Sequence, residues 1–219
     1  MNIFKKWREP MSALTHLVAL IGIIPFVLYL IYKSYFIGGM YHLVAFSIFA
    51  LSIISLYLAS TIYHMLPVKE EIVAILKKLD HMMIFVLIAG TYTPVCLIAL
   101  KGIWGYSMLG LVWSVALFGI ILKFFWIKAP RWLSTGLYVL MGWLAVLAIY
   151  PIVKAIEVEG ILLLLLGGII YTIGAIIYGT KYPKFNFKFF GFHEIFHLFV
   201  IGGSVCHIIF MFKYVLLNK

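Results

Sequence analysis

The chain contains Gly191-Phe192-His193-Glu194-Ile195-Phe196-His197, followed at once by an apolar run from Leu198 to Val205. Histidines four positions apart lie one above the other on the same helix face. Here both histidines would lie at the start of a membrane-spanning helix. Ionisable side chains cost free energy within a membrane and are therefore candidates for function. The stretch also matches H-E-x-x-H, the pattern of zinc proteases. Its meaning depends on what the rest of the chain supplies.

The composition indicates an integral membrane protein. Of 219 residues, 65% are hydrophobic and 11% are charged, whereas an average soluble domain is about 45–50% apolar and about 25% charged. The net charge of +10 would suggest nucleic-acid binding in a soluble protein. In a membrane protein lysines are expected to mark cytoplasmic loops, so no nucleic-acid partner is expected. Cys96 and Cys206 lie inside apolar runs and are interpreted as core residues rather than as a disulfide.

Seven apolar runs each come close to the roughly 20 residues that cross about 30 Å of hydrocarbon. The expected spans are approximately residues 12–32, 43–65, 80–100, 103–126, 132–152, 161–178 and 193–216. Backbone in lipid must satisfy its hydrogen bonds within each segment. The sequence therefore predicts an all-α bundle of seven transmembrane helices. Because the loops are short, residues 1–219 are interpreted as a single membrane domain.

Basic residues give the expected orientation of the bundle. Most of the 17 Lys and Arg residues lie in the N-terminal tail or near the cytoplasmic ends of the even-numbered spans. The positive-inside rule then places the N-terminus in the cytoplasm and the C-terminus on the extracellular side. These basic residues are Lys5, Lys6, Arg8, Lys69, Lys77, Lys78, Lys123, Lys128, Arg131, Lys181, Lys184 and Lys188.

In this orientation, polar residues from three spans lie at one depth near the cytoplasmic surface. The second span ends with Ser60 and His64, the third begins at Asp80, and the seventh begins with His193 and His197. Three imidazoles that meet from two helices match a catalytic zinc site, in which water takes the fourth position. Asp80 is then expected to orient or deprotonate that water. The Ser60 hydroxyl is expected to hydrogen-bond beside the ligands.

The remaining histidines separate into two groups. His42 lies at the opposite end of the bundle, and His207 lies about 15 Å further along its helix than the predicted site. His16 and His81 have the right depth and are kept as candidates for a supporting role, although His81 is rotated by about 100° from its neighbour Asp80. Asp80 alone would also suit the first turn of a helix, where the helix dipole favours an acid.

The polar groups resemble the pattern of a known family. Ser60-x3-His64, Leu79-Asp80-His81 and His193-x3-His197 are similar to the motifs of the progestin and adipoQ receptor (PAQR) family, whose bacterial branch is called haemolysin III. The resemblance covers essentially the whole chain. Further stretches that are similar to the bacterial branch are Arg8-Glu9-Pro10 to Thr15-His16, Ile88-Ala89-Gly90-Thr91-Tyr92-Thr93-Pro94, Met141-Gly142-Trp143 and Gly167-Gly168-Ile169-Ile170-Tyr171.

The resemblance implies a seven-helix protein with its N-terminus inside and a zinc ion (Zn2+) bound by His64, His193 and His197, with Asp80 nearby. The wider group is suspected of metal-dependent hydrolysis and has ceramidases among its relatives. Bacterial members carry the haemolysin name and have been linked to membrane homeostasis. We therefore expect a multi-pass protein of a bacterial plasma membrane, with membrane lipids as partners and a lipid substrate inside the helix bundle.

Four functional hypotheses follow. The first is a zinc-dependent hydrolase of lipid amide or ester bonds, with Asp80 as general base. The second is an intramembrane protease with Glu194 as base, which leaves Ser60 and His64 without a role. The third is a pore or cytolysin, against which the uniformly apolar helices argue. The fourth is a non-catalytic receptor or regulator with structural zinc, although structural zinc sites normally have four protein ligands.

Overall fold

Among the residues that the structure describes, six helical stretches are long and apolar enough to cross a membrane. The structure, a computed structural model, describes residues 6–182, 184 and 190–218, and within these residues it is helical with short connections. The all-α prediction is therefore confirmed. The six stretches are Pro10–Met65, Glu70–Leu100, Gly102–Phe125, Arg131–Ala155, Val158–Thr180 and Phe192–Val215.

Several of these stretches combine more than one kind of helix. The α-helices are α1 (Pro10–Met65), α2 (Glu70–Pro94), α3 (Gly102–Phe125), α4 (Arg131–Gly142), α5 (Ile149–Ala155), α6 (Val158–Thr180) and α7 (Phe192–Phe210). After α2 the chain continues as a π-helix over Val95–Leu100, and after α7 as a π-helix over Met211–Val215. Between α4 and α5 it forms a 3₁₀-helix over Trp143–Ala148.

The helix α1 is broken at Gly38 and Gly39. Gly38 has φ −133° and ψ 16°, and Gly39 has φ 62° and ψ −149°. The backbone of Gly39 lies in a region that glycine adopts readily and residues with a Cβ do not. A Cβ at Gly38 would overlap the ring of His42. Both positions therefore require glycine, and the chain reverses direction there.

The two ends of α1 meet after this reversal. The N–H groups of Arg8 and Glu9 donate to the carbonyls of Met65 and His64, at 3.3 and 2.9 Å. A straight helix of 56 residues would be about 84 Å long, so its ends could not touch. Residues 10–37 and 40–65 therefore form two antiparallel arms, called here the first and second arms. The sequence predicted a loop between spans 12–32 and 43–65, and the glycine pair takes its place.

One face of the second arm contributes several large side chains to the core of the bundle. Phe46, Phe49 and Tyr57 lie on this face and are fully buried. They belong to one core cluster with Phe85 of α2 and Phe210 of α7. Many large apolar side chains point away from this core, as expected where the surrounding medium is hydrocarbon. The most exposed include Ile103, Phe125, Trp132 and Phe36.

Two of the predicted spans differ from the observed helices at their ends or inside. The third span was predicted from residue 80, but α2 begins at Glu70 because charged turns extend the helix beyond its apolar part. Glu70 and Glu71 lie in its first turn, where the helix dipole favours acids. The fifth span was predicted over 132–152 as one helix, whereas α4 ends at Gly142 and gives way to the 3₁₀ segment.

A tyrosine from α2 explains why α4 stops. The Tyr92 hydroxyl donates to the carbonyl of Gly142 at 2.7 Å and accepts from the N–H of Ala145 at 2.8 Å. A side chain that inserts into the backbone ladder in this way interrupts an α-helix. The irregular stretch that follows lines one side of the internal cavity described below.

Candidate metal centre

Three histidines from two helices form a tight cluster at one end of the bundle. His64 comes from the last turn of the second arm, and His193 and His197 come from the first two turns of α7. Each offers one ligand atom, and these atoms all lie within 4.8 Å of one another. His64 is 1% exposed and His197 2% exposed. The structure thus brings together the three residues that the sequence predicted as metal ligands.

A hydrogen bond fixes the orientation and tautomer of His64. Its Nδ1 is bonded to the carboxylate of Glu9, which lies just before α1. A carboxylate can only accept, so Nδ1 carries the proton and Nε2 presents a lone pair. This hydrogen bond lowers the pKa of the Glu9 carboxyl, and the positive charge of Arg8 acts in the same direction. The Nε2 atom of His64 faces His193.

His197 is held in the same way from the first arm. Its Nδ1 lies 3.0 Å from the Thr15 hydroxyl oxygen. That hydroxyl donates its own proton to the carbonyl of Ser12 at 2.8 Å, so it can only accept from His197. Nδ1 therefore carries the proton, and Nε2 is left as the ligand atom. Carboxylates and hydroxyls that orient metal-binding histidines act in this manner.

The spacing of the cluster fits a metal ion bound by imidazole. The Nε2 atoms of His64 and His193 are 3.2 Å apart. In a tetrahedral site with metal–nitrogen bonds of about 2.0–2.1 Å, two ligand nitrogens are about 3.3 Å apart. The ring centroids of His193 and His197 are 4.5 Å apart. With all three ligand atoms within 4.8 Å of one another, the group could hold a metal ion.

Asp80 lies in the wall of the same site without joining the cluster. It is 8% exposed and lines the cavity that His193 and His197 also line. Its carboxylate lies 3.4 Å from Nδ1 of His81, and the group with mutually close ligand atoms does not include it. Nε2 of His81 pairs with the Tyr178 hydroxyl at 3.2 Å. Asp80 is therefore placed beside the histidines rather than among the ligands.

Ser60 and His16 also line this part of the cavity. The Ser60 hydroxyl and both ring nitrogens of His16 are buried and lack a hydrogen-bond partner among the described residues. The ring of His16 stacks on that of His197, with centroids 3.7 Å apart and planes 11° apart. Buried polar atoms are almost always satisfied in folded proteins. The Ser60 hydroxyl and the His16 ring are therefore candidates to pair with water or with a polar group of a ligand in this cavity.

Glu194 has a structural role. One carboxylate oxygen accepts from the Ser12 hydroxyl and the other from the N–H of Gly191 at 2.8 Å. The second contact caps the first turn of α7. One oxygen holds α7 against the first arm and the other caps α7. Glu194 is therefore occupied by structural contacts and is not placed as the general base of an H-E-x-x-H protease.

Two histidines of the cluster, His193 and His197, line a cavity of about 290 Å³. Residues of α1, α2, α3, the α4–α5 stretch, α6 and α7 line the cavity, and most of this lining is apolar. Its far end is lined by Leu100, Met108 and Ile152, which lie at the opposite ends of these helices from the histidines. At the histidine end the lining includes the polar side chains of Ser60, Asp80 and His16.

Sequence reasoning missed Glu9, Ser12 and Thr15 and gave His16 only a supporting place. Glu9, Ser12 and Thr15 follow one another at intervals of three positions, and His16 lies four positions after Ser12, so all four lie on one side of the start of α1. A polar stripe at the end of an otherwise apolar span was the available signal. It was not used because none of the four belongs to a metal-binding spacing on its own.

The fold and site define a multi-pass helical membrane protein with a largely buried histidine cluster near one end of the bundle. A family profile described as haemolysin-III related matches residues 4–208. The chain is 42% identical to the "Hemolysin-3 homolog" of Bacillus subtilis (strain 168) over 197 residues, 90% of this chain and 89% of that one. It is 40% identical to the "Hemolysin-3" of Bacillus cereus over 211 residues, 95% and 92% of the two chains. The chain belongs to the haemolysin-III-related family.

Proposed function

We propose that this protein is a zinc-dependent hydrolase of lipid amide or ester bonds. The observation that carries the proposal is a cluster of three imidazoles at one end of a cavity with a mostly apolar lining. His64 and His197 are buried and are oriented by Glu9 and Thr15. Three protein ligands with further space beside them are typical of catalytic rather than structural zinc sites. His64, His193 and His197 hold the ion.

The chemistry divides between the ion and the side chains around it. Zinc in such a site polarises a carbonyl and lowers the pKa of water towards about 7. Asp80 accepts a proton from the attacking water as the water oxygen bonds to the carbonyl carbon. The proton then passes to the leaving nitrogen or oxygen as the C–N or C–O bond breaks. The products are a fatty acid and an amine or alcohol. Ser60 and His16 hydrogen-bond the reacting group in this proposal, which their unpartnered polar atoms in the cavity lining support.

The cavity supports a lipid as substrate. Its apolar lining suits an acyl chain, and its polar end suits the linkage to be cleaved. Ligand sites are commonly apolar pockets with a few polar groups that fix orientation. A water-soluble substrate would make few apolar contacts with this lining.

We further propose that the two arms of α1 cross the membrane separately. This gives seven crossings, with the N-terminus in the cytoplasm, the C-terminus outside and the histidine cluster near the cytoplasmic face of a bacterial plasma membrane. The antiparallel arms and the distribution of basic residues support this arrangement. Two reporters fused to the C-terminus test it, one active only outside the cell and the other only in the cytoplasm. Activity of the cytoplasmic reporter alone would contradict it.

Turnover of defined lipids by purified protein tests the hydrolase. Release of fatty acid from an N-acyl sphingoid base and from a diacylglycerol covers the amide and ester classes. Asp80→Asn is expected to reduce the rate by about 10²–10⁴-fold, the usual contribution of a general base, while zinc content is unchanged. Protein that holds stoichiometric zinc and turns over neither class would contradict the proposal.

A pore-forming cytolysin is the second candidate. The names of the two relatives, "Hemolysin-3" and "Hemolysin-3 homolog", favour it. Release of a dye from liposomes containing the protein distinguishes the two functions. Release that is unaffected by His64→Ala would favour a pore. Release that requires the histidines and a hydrolysable lipid would follow from hydrolysis.

A further inference from the structure

His207 is a buried polar side chain in the cavity that the hydrolytic chemistry does not use. It lies ten residues after His197 on α7, which corresponds to about 15 Å along the helix. It is 8% exposed and lines the same cavity as the histidine cluster. Polar side chains at such a depth are expensive and are functional candidates.

The hydrogen bond that His207 makes defines what its other nitrogen can do. Nδ1 lies 2.7 Å from the carbonyl of Gly203, and a carbonyl can only accept, so Nδ1 carries the proton. A cation at this depth would be expensive, so the ring is neutral and Nε2 is an acceptor. In the part of the chain that the structure describes, no hydrogen-bond donor reaches Nε2.

The neighbouring hydroxyls are already engaged with one another. Tyr57 donates to the Ser204 hydroxyl at 2.8 Å, and Tyr171 pairs with the same hydroxyl at 2.9 Å. The Tyr171 ring packs beside His207, with centroids 5.2 Å apart. Thr172, also in the cavity wall, donates to the carbonyl of Gly168 at 2.7 Å. Because these hydroxyls are engaged in other hydrogen bonds, Nε2 of His207 is available to accept from a bound ligand.

Packing against α6 holds the His207 ring in place. A Cβ at Gly167 would lie 2.6 Å from Cε1 and 2.7 Å from Nδ1 of the ring. The backbone of α6 therefore covers that edge closely and restricts rotation of the imidazole. With Nδ1 tied to Gly203 as well, the acceptor has a fixed position in the cavity. A fixed acceptor can discriminate between ligands.

We propose that His207 Nε2 accepts a hydrogen bond from a hydroxyl carried on the acyl chain of the bound lipid. The inference deepens the proposed function, on which it rests for the lipid, by naming hydroxylated acyl chains as the preferred class. Since the acceptor is about 15 Å from His197 along α7, the hydroxyl lies well away from the linkage to be cleaved. A site built to pair with a hydroxyl rejects the analogue that lacks it.

Binding of monohydroxy stearic acids tests the proposal without requiring turnover. Each positional isomer and unsubstituted stearic acid compete with a fluorescent fatty acid for purified protein in detergent. One isomer with its hydroxyl far from the carboxyl is expected to bind about fivefold more tightly than stearic acid, the effect of one net hydrogen bond. His207→Phe is expected to abolish this preference and retain stearic acid binding. No preference in the wild type, or the same preference in His207→Phe, would overturn the inference.

Two further variants keep the test decisive. His207→Met replaces the ring with a flexible apolar side chain and serves if His207→Phe no longer binds stearic acid. His64→Ala removes a proposed metal ligand but not the cavity acceptor, so the preference for the hydroxylated isomer is expected to persist in it. If the preference persists in His64→Ala and the wild type shows no turnover, the hydrolase proposal is contradicted. The proposed hydroxyl-binding role of His207 is then still supported. Loss of the preference in His64→Ala with stearic acid still bound would count against the acceptor.

Discussion

His64 and Glu9 are 55 positions apart in the chain and are joined by a hydrogen bond from the imidazole Nδ1 to the carboxylate. The bond exists because α1 reverses at Gly38 and Gly39 and returns its end to its start. The reversal of α1 thus brings Glu9 to His64, where its carboxylate sets the tautomer of a proposed metal ligand. Removing the carboxylate is expected to affect metal binding before it affects the fold.

The first prediction concerns Glu9. Glu9→Ala is expected to weaken zinc affinity by about 10–100-fold, the usual cost of losing a partner that orients a metal-binding histidine. Competition with a chelator of known affinity measures the change. Glu71→Ala, which removes an exposed acid from the first turn of α2, is the matched control. Equal affinities for the two variants would show that the Glu9 contact does not support the site.

The second prediction concerns Thr15. Thr15→Val keeps the shape of the side chain but removes the oxygen that accepts from His197 Nδ1, so zinc affinity is expected to fall by a similar factor. Thr15→Ser restores the oxygen and is expected to restore most of the affinity. The same chelator competition applies. Equal loss in the valine and serine variants would point to packing and not to the hydrogen bond.

The third prediction separates His16 from the ligands. His16→Phe preserves the stacking on His197 and removes two buried nitrogens that lack a partner among the described residues. Zinc content is expected to stay the same and turnover to fall. Thermal stability is expected to stay equal or rise, because each unsatisfied buried polar atom costs about 1–3 kcal/mol. Metal analysis, thermal unfolding and lipid hydrolysis on one preparation measure all three. Loss of zinc would make His16 part of the ligand set.

The fourth prediction concerns Glu194. Glu194→Gln keeps an oxygen that can accept from the Ser12 hydroxyl or the Gly191 N–H, so both zinc content and turnover are expected to stay close to wild type. Asp80→Asn, measured in parallel, is expected to lose turnover. A large loss of turnover in Glu194→Gln with zinc retained would revive the intramembrane protease.

Hydropathy predicted the helices well because lipid leaves the backbone few alternatives. It predicted less about their ends, since the charged turns of α2 from Glu70 to Leu79 extend past the apolar part. It also could not show that α4 yields to a 3₁₀ segment, because the cause is a hydroxyl from Tyr92 on a different helix. The hydrophobic periodicity of one helix does not predict which side chains of another helix will contact it.

The candidate site was predictable to the extent that its residues share helix faces. His193 and His197 are four apart, and orientation brought His64 to their depth. The contacts of Glu9 and Thr15 depend on how the first arm lies against α7, which no spacing within one helix can reveal. The same limit applies to His16, whose role depends on the ring it stacks against.

Metal content of the purified protein tests the central claim most directly. Wild type, His64→Ala, His193→Ala and His197→Ala are compared by elemental analysis, with His42→Ala as a control at the other end of the bundle. One zinc per chain is expected in wild type and in the control, and loss of zinc is expected in each of the three ligand variants. Full retention of zinc in any one of the three, or its absence from a folded wild type, would contradict the account.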